Sequence, residues 1–306
     1  MCSNVTHLVQ KYAATVGFFD GVHAGHRFLI NELKKEAKKH GLLSMVITFK
    51  LHPRKVLHAS YQPELLCSPE EKIQLLKATG VDQVIELNFS PEMAKLSAYE
   101  FMSQILADQL KVGLLLVGHD HRFGHNREDG FTEYVQYGKQ TDIEVIQATR
   151  FTTATMNHIS SSEIRTALKN GDIETANALL TTPYAFTGYV IDGFKVGRKI
   201  GFPTANLKPV NSDKLIPGTG VYAAMVEWNQ KFYKAMMNIG RRPTLDNGTN
   251  ISLEVHIIDF SEDIYHQEIK IQFLHKIRDE KKFDSVDQLI LQLEKDKEYV
   301  VNNCRQ

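Results

Sequence analysis

Ala14-Thr-Val-Gly-Phe-Phe-Asp-Gly-Val-His-Ala-Gly-His26 decides how the first half of the chain is read. Ala14–Phe18 is an apolar run suited to a strand, and a helical pattern follows from about Arg27 to His40, with Gly41 placed as a C-terminal stop. A strand feeding a helix through a glycine-bearing turn opens an alternating α/β pattern. The same alternation continues outward. Ser44–Phe49 is a second strand, Lys72–Thr79 a helix halted at Gly80, and Val84–Leu87 a third strand. Ser97–Leu110 reads as a helix, Leu114–Val117 as a wholly apolar strand, then Gly130–Gly138 and Ile143–Ile146 as one more helix and strand. Strands of this kind, buried on both sides by helices, form a parallel sheet that binds ligands at its carboxyl edge.

From about Phe186 the period changes. Ser252–Ile257 and Glu268–Phe273 alternate polar and apolar residues, and Val221–Glu227 and Phe232–Asn238 flank Trp228-Asn-Gln-Lys231, which suits a hairpin turn. Closely spaced antiparallel strands predict a barrel or sandwich. Val286–Val300 reads as a terminal helix. The composition switches near Thr181-Thr-Pro-Tyr184, so the expected domains are 1–182 and 183–306.

A chain of 306 residues can form one large domain or two ordinary ones, and 42% hydrophobic with 24% charged residues suits a soluble folded protein. Lys+Arg and Asp+Glu are 36 each, so no basic surplus marks a nucleic-acid groove. Cys2, Cys67 and Cys304 have no metal-ligand spacing, and an odd, sparse set points to a reducing compartment. No secretory start or membrane-length apolar run is visible, and a cytoplasmic protein is expected.

Two segments carry chemistry in the first half. His23 and His26 lie three apart beside Gly21 and Gly25; on the opening turn of a helix both rings face an anion held there by backbone donors and the helix dipole. The alternative is a pair of turn histidines. Ile159-Ser-Ser-Ser-Glu-Ile-Arg165 has the capping-box spacing of Ser160 with Glu163; Ser161, Ser162 and Arg165 could hold phosphate oxygens, or the segment is ordinary capping. In the second half, Gly197-Arg-Lys-Ile-Gly-Phe-Pro-Thr-Ala-Asn-Leu207 is not a Walker A loop, because it lacks the Gly-Lys-Ser/Thr ending. Gly197 and Gly201 loosen a turn that Pro203 fixes, while Thr204 and Asn206 offer hard oxygen ligands for magnesium among phosphates. Glu254 shares a strand face with His256 and could serve as a base, or could simply face solvent.

Taken jointly, Gly17–His26, Thr48-Phe-Lys-Leu-His-Pro53, Val117-Gly-His-Asp-His-Arg-Phe-Gly124 and Ile159–Arg165 resemble the nucleotidyltransferases with a His-x-Gly-His motif. They look specifically like the FMN adenylyltransferase domain of prokaryotic bifunctional riboflavin kinase/FAD synthetases. The resemblance implies a Rossmann-like sheet and attack of an FMN phosphate oxygen on the α-phosphorus of ATP. It also implies that His23 and His26 touch ATP phosphates beside Gly17, Phe18, Gly25, Ser160, Ser161 and Ser162, with Arg165 on the pyrophosphate side. Asp20 would orient a histidine or meet magnesium. His52 and Arg122 would contact phosphate or FMN, and Phe123, Asn126 and Arg127 would form a loop on the flavin side. Ala24 and Ser162 depart from the larger aliphatic residue and the threonine common in the family, which leaves rate and affinity open.

Gly188-Tyr-Val, Gly197–Leu207, Gly220-Val-Tyr-Ala223, Met237-Asn-Ile-Gly240, Pro243-Thr244, Glu254–Phe260 and Ile277-Arg-Asp-Glu280 are similar to the riboflavin kinase family. That similarity implies a Greek-key β-barrel with a C-terminal helix and transfer of the ATP γ-phosphate to the ribityl 5′-hydroxyl. Thr204 and Asn206 would hold magnesium and phosphate, Glu254 would activate the hydroxyl, and Arg278 would lie in a loop closing over the flavin or pair with a local acid. The expected ligands are riboflavin, FMN, FAD, ATP and Mg2+, with no nucleic acid, membrane or obligatory protein partner. A kinase with a degenerate first domain and a flavin-binding regulator are the competing readings.

Overall fold

A computed structural model of the chain describes residues 10–57, 60–62, 64–119, 121–151, 159–193, 196–243 and 249–304. It divides into two compact units, residues 1–63 with 69–159, and residues 64–68 with 160–306.

The first unit is built on a five-stranded sheet of β1 (Tyr12–Val16), β2 (Leu43–Phe49), β3 (Gln83–Leu87), β4 (Val112–Val117) and β5 (Glu144–Gln147). The order is β3-β2-β1-β4-β5 and every pairing is parallel. Alternate residues of the strands feed two cores. Ala14, Val16, Met45, Ile47, Leu115 and Val117 pack with Phe101, Met102, Leu106 and Tyr134 on one face. Ala13, Val46, Leu114 and Leu116 pack with Ile30, Leu33, Ala37 and Leu76 on the other. Burial on both faces explains the unbroken apolar strands. The helix Ala24–His40 ends where the sequence places its stop: Gly41 has φ 66° and its N–H caps the carbonyls of Ala37 and Lys38. Strand order reverses between β1 and β4, so their adjacent carboxyl ends form the switch point of the sheet. One element departs from expectation. The span read as a helix from Ser97 to Leu110 starts with a capping box at Ser97 and widens into a π-helix over Phe101–Gln109. The wider turn leaves Phe101, Met102, Ile105 and Leu106 all buried.

The second unit is a closed antiparallel barrel of β6 (Ala185–Ile191), β7 (Ala205–Pro209), β8 (Gly220–Trp228), β9 (Lys231–Pro243), β10 (Thr249–Ile257) and β11 (Glu268–Arg278), in the order β10-β7-β6-β11-β8-β9. Placing β11 between β6 and β8, and β7 beside β10, gives Greek-key connectivity. The β8–β9 hairpin closes through Asn229 (φ 49°) and Gln230 (φ 61°), the paired positive angles of a two-residue turn. The terminal helix Val286–Asn303 covers one side, with Val300 packed against Ala223, Met225 and Met236. Two helices that precede the compositional switch, Ser161–Lys169 and Ile173–Leu180, group by contact with the barrel. Asn177 Nδ2 donates to the Phe273 carbonyl (2.9 Å), and the Gly218 N–H donates to the Leu168 carbonyl (2.9 Å).

Candidate active sites

In the first unit, β1 releases the chain at its carboxyl end through a turn with three positive φ angles: Phe19 at 55°, Gly21 at 76° and Val22 at 41°. A β-branched residue there is strained, and the surroundings hold it: Val22 and Phe19 are both buried in the core. The turn delivers His23 as the N-cap of the Ala24–His40 helix, where Nδ1 accepts from the His26 N–H (3.4 Å). The two imidazoles stack with centroids 3.6 Å apart and planes 19° apart. Gly25 leaves room for this arrangement, since a Cβ would lie 3.3 Å from the His23 ring. Phe19 meets His26 edge-on at 5.2 Å, and Asp20 and His23 are each 4% exposed. Burial, then the neighbouring His23 and His121, holds His26 well below the usual histidine range, so it is a neutral imidazole near pH 7. Gly17 sits against the Phe19 ring, and its N–H donates to the Ile47 carbonyl (3.0 Å).

Phe18 meets His52 edge-on at 4.6 Å. Above its ring, at 4.0 Å, lies the Lys72 ammonium, which donates to the Phe49 carbonyl (2.6 Å). Lys72 is 2% exposed, a buried cation at the carboxyl end of β2 that the sequence does not announce, because lysine in a helix ordinarily reads as a solvated face. The predicted flavin loop is more internally packed than expected. Phe123 stacks on Tyr134 at 4.2 Å, Arg122 donates to the Glu128 carbonyl (3.5 Å), and Asn126 donates to the Glu128 carboxylate (3.2 Å). Asn126 and Arg127 take positive φ. Gly124 (φ 88°) is required, because a Cβ there would lie 2.6 Å from the Ala98 nitrogen.

Ser160, Ser161, Ser162 and Arg165 belong to the second unit. The capping box read from the sequence is present: Ser160 Oγ accepts from the Glu163 N–H, and the Glu163 carboxylate accepts from the Ser160 N–H (2.9 Å). Arg165 Nε donates to the Glu64 carbonyl (2.9 Å).

Within the barrel, residues 196–204 form a tight turn. Its short helix, Val196–Lys199, is closed by N–H groups of Ile200 (3.1 Å) and Phe202 (2.9 Å) donating to the Gly197 carbonyl, and Gly201 has φ 82°. A Cβ at Gly197 would overlap the Phe202 carbonyl oxygen, and one at Gly193 would overlap the Asn206 side-chain amide. The turn leads into β7, where Asn206 pairs with Glu254 on β10; Glu254 in turn faces Asn238 on β9. Glu254 is half-buried and lines a cavity of about 330 Å³ with Thr204, Asn238, His256, Arg278 and Phe283. It is not a carboxylate that simply faces solvent. Thr204 also lines a second cavity of about 510 Å³ with Arg198, Phe260, Glu262 and Tyr265. His256 Nδ1 lies 2.8 Å from the Pro203 carbonyl, and burial pulls its pKa down.

Arg278 does not lie in a loop. Pairing between β11 and β8 runs out to Arg278 and Val221, so Arg278 ends the strand. Its guanidinium grips Asp296 of the terminal helix through Nε (2.9 and 3.2 Å) and Nη2 (2.8 Å). Asp296 is 1% exposed and also accepts from Gln292 (2.9 Å). The local acid is therefore real, and the arginine still borders the Glu254 cavity.

Thr204 hydroxyl, Asn206 carbonyl and Glu254 carboxylate are all hard oxygen donors, clustered on one turn and the adjoining strand pair. Among the described residues there is no group of three or more His, Cys, Asp and Glu able to hold a metal. Hard oxygen donors of this kind would suit a magnesium ion that takes the rest of its shell from phosphates and water.

Known families match both halves of the chain. Residues 6–163 match the family model described as FAD synthetase, and residues 180–304 match the one described as riboflavin kinase. The bifunctional riboflavin kinase/FMN adenylyltransferase of Haemophilus influenzae is 38% identical over 296 residues, covering 96% of this chain and 95% of that protein. The Bacillus subtilis enzyme of the same name is 37% identical, covering 96% and 94%. A solved structure from Streptococcus pneumoniae, named there as a macrolide-efflux protein, superimposes with a TM-score of 0.87 at 35% identity, covering 97% of this chain and 96% of that one. Among the described residues no helix is long and apolar enough to cross a membrane. With both halves matched and the alignment running through nearly all of its length, the chain belongs to the bifunctional riboflavin kinase/FMN adenylyltransferase family.

Proposed function

We propose the following division of labour. The chain phosphorylates riboflavin to FMN and adenylylates FMN to FAD, consuming ATP with Mg2+ at each step. The adenylyl transfer is assigned to residues 1–182 and the kinase to residues 183–306. The observation that carries the reading is the pairing of a phosphate-type turn with a carboxylate in the barrel: Thr204 borders two cavities, and Glu254 faces it in one of them. One cavity then takes the nucleotide and the other the flavin, with the transferred phosphoryl passing beside Thr204.

In the kinase step the ribityl 5′-hydroxyl oxygen bonds to the γ-phosphorus of ATP, the bond to the β-phosphate bridge breaks, and ADP leaves. Glu254 accepts the hydroxyl proton. Thr204 and Asn206 would hold magnesium, which when bound neutralises phosphate charge. Gly197 and Gly201 shape the turn, and Arg278, fixed by Asp296, borders the flavin. In the adenylyl step an FMN phosphate oxygen bonds to the α-phosphorus of ATP and pyrophosphate leaves. His23 and His26 donate to the phosphates and stabilise the charge that develops on them. Asp20 would orient the histidines. Gly17, Phe18 and Gly25 border the nucleotide; His52, Arg122, Phe123, Asn126 and Arg127 border the flavin.

The test is product analysis of purified protein given riboflavin and MgATP. FMN with ADP, followed by FAD with pyrophosphate, is the expected outcome. FMN alone points to a silent first domain, and unchanged riboflavin points to a binding protein.

A further inference from the structure

A third imidazole reaches the carboxyl edge of the parallel sheet from the strand next to β1. His23 and His26 follow β1, and His121 follows β4, the neighbour across the switch point where such sheets hold their ligands. The His121 N–H closes a turn onto the Gly118 carbonyl (3.1 Å). A Cβ built at Gly118 would lie 3.5 Å from His121 Cβ and 3.8 Å from Leu29 Cδ2, so this turn packs against the start of the helix that carries His26.

Two imidazole nitrogens in this region are shielded from solvent and have no hydrogen-bond partner among the described residues: His26 Nδ1 and His121 Nε2. A buried polar nitrogen left unpaired is destabilising, and two close enough for His121 to act on His26 are poorly explained by packing. They suit an acceptor-rich ligand entering from outside. The surrounding charge agrees, because His121 is pushed down to about 4 by burial and by Arg127, and it acts in turn on His26. A polyphosphate supplies both the acceptors and the negative charge.

We infer that His121 is a further substrate-contacting residue of adenylyl transfer, its Nε2 donating to a phosphate oxygen of ATP beside His26. The inference rests on the assignment of the His23–His26 site to that reaction. The FMN phosphate oxygen forms its bond to the α-phosphorus as the α–β bridging bond breaks, and pyrophosphate leaves with the electron pair. His121 gives up no proton; its N–H stabilises charge growing on the phosphate oxygens.

The test uses the full chain with His121→Phe, His121→Gln and His26→Ala, each assayed for FAD formation from FMN and MgATP and for FMN formation from riboflavin. Expected is a loss of at least tenfold in kcat/KM for FAD formation in His121→Phe, partial recovery in His121→Gln, which keeps an N–H donor, and an unchanged kinase rate in both. His121→Phe at the wild-type rate beside an inactive His26→Ala overturns the role of His121 alone. Equal losses in Phe and Gln variants also overturn it, since packing would then explain the defect. His121→Phe and His26→Ala both at the wild-type rate overturn the assignment of the site itself. In the unsubstituted protein carrying 15N-labelled histidine, MgATP should shift the His121 Nε2 resonance together with that of His26. A His26 shift with His121 unmoved contradicts the inference even if the variants fold poorly.

Discussion

At the scale of single residues, two buried charge arrangements make opposite demands on pH and substitution. Asp296 holds Arg278 with two oxygens inside the terminal helix, and removing the negative charge strands a guanidinium at the edge of the Glu254 cavity. Asp296→Asn should lower unfolding stability by about 3 kcal/mol or more, the range for breaking a buried pair. It should also raise the riboflavin KM, since Arg278 loses its fixed position. Denaturant unfolding and kinase kinetics read the two effects separately. The histidines act differently. His26 and His121 are both held below the ordinary value of 6.5, so the folded chain binds fewer protons than the unfolded one below pH 6.5, and for His121 that window runs down to about pH 4. Their contribution to stability is therefore complete above pH 6.5 and is lost as pH falls toward 4. Melting temperatures from pH 7.5 to 5 should drop, with a smaller drop in His121→Phe; equal slopes would count against a neutral buried His121. The turn that carries Thr204 and Asn206 and the strand that carries Glu254 are legible in the sequence, because a turn motif is local and strand alternation sets the face of a side chain. Asp296 was not, because its partner lies on another element, and His121 drew no notice as a residue, because only the sheet order sets it beside His26.

At the scale of elements, the alternating period of each half exposed most strands, and glycine marked where turns had to close. The hairpin at Asn229–Gln230 and the stop at Gly41 follow from that local grammar. β7 is not legible in the sequence, since Ala205–Pro209 is short and ends in proline, and its strand character comes from pairing with β6 and β10. The π-helix over Phe101–Gln109 is equally invisible, as its apolar positions also suit an α-helix. The turn before β7 yields a prediction of its own. Gly197→Ala places a methyl on the Phe202 carbonyl, so the turn must shift and carry Thr204 with it. FMN formation should fall at least tenfold while FAD formation from supplied FMN is retained; a wild-type kinase rate would show that the turn tolerates the shift.

At the scale of the whole molecule, the chain holds two bodies with separate hydrophobic cores. Composition sets the change of character near residue 182, whereas contact groups the helices Ser161–Lys169 and Ile173–Leu180 with the barrel through buried Leu168, Ala176, Leu179 and Leu180. A fragment of residues 160–306 should therefore melt at a higher temperature than one of residues 183–306, as calorimetry of the two can establish. The central claim is that each body performs one reaction with its own side chains. It is tested most directly by measuring both reactions in His26→Ala and Glu254→Gln, with riboflavin supplied for the kinase and FMN for the adenylyl transfer. The predicted result is a double dissociation: His26→Ala makes FMN at the normal rate and little FAD, and Glu254→Gln makes FAD from FMN normally and little FMN from riboflavin. Loss of both reactions in either folded variant would contradict it.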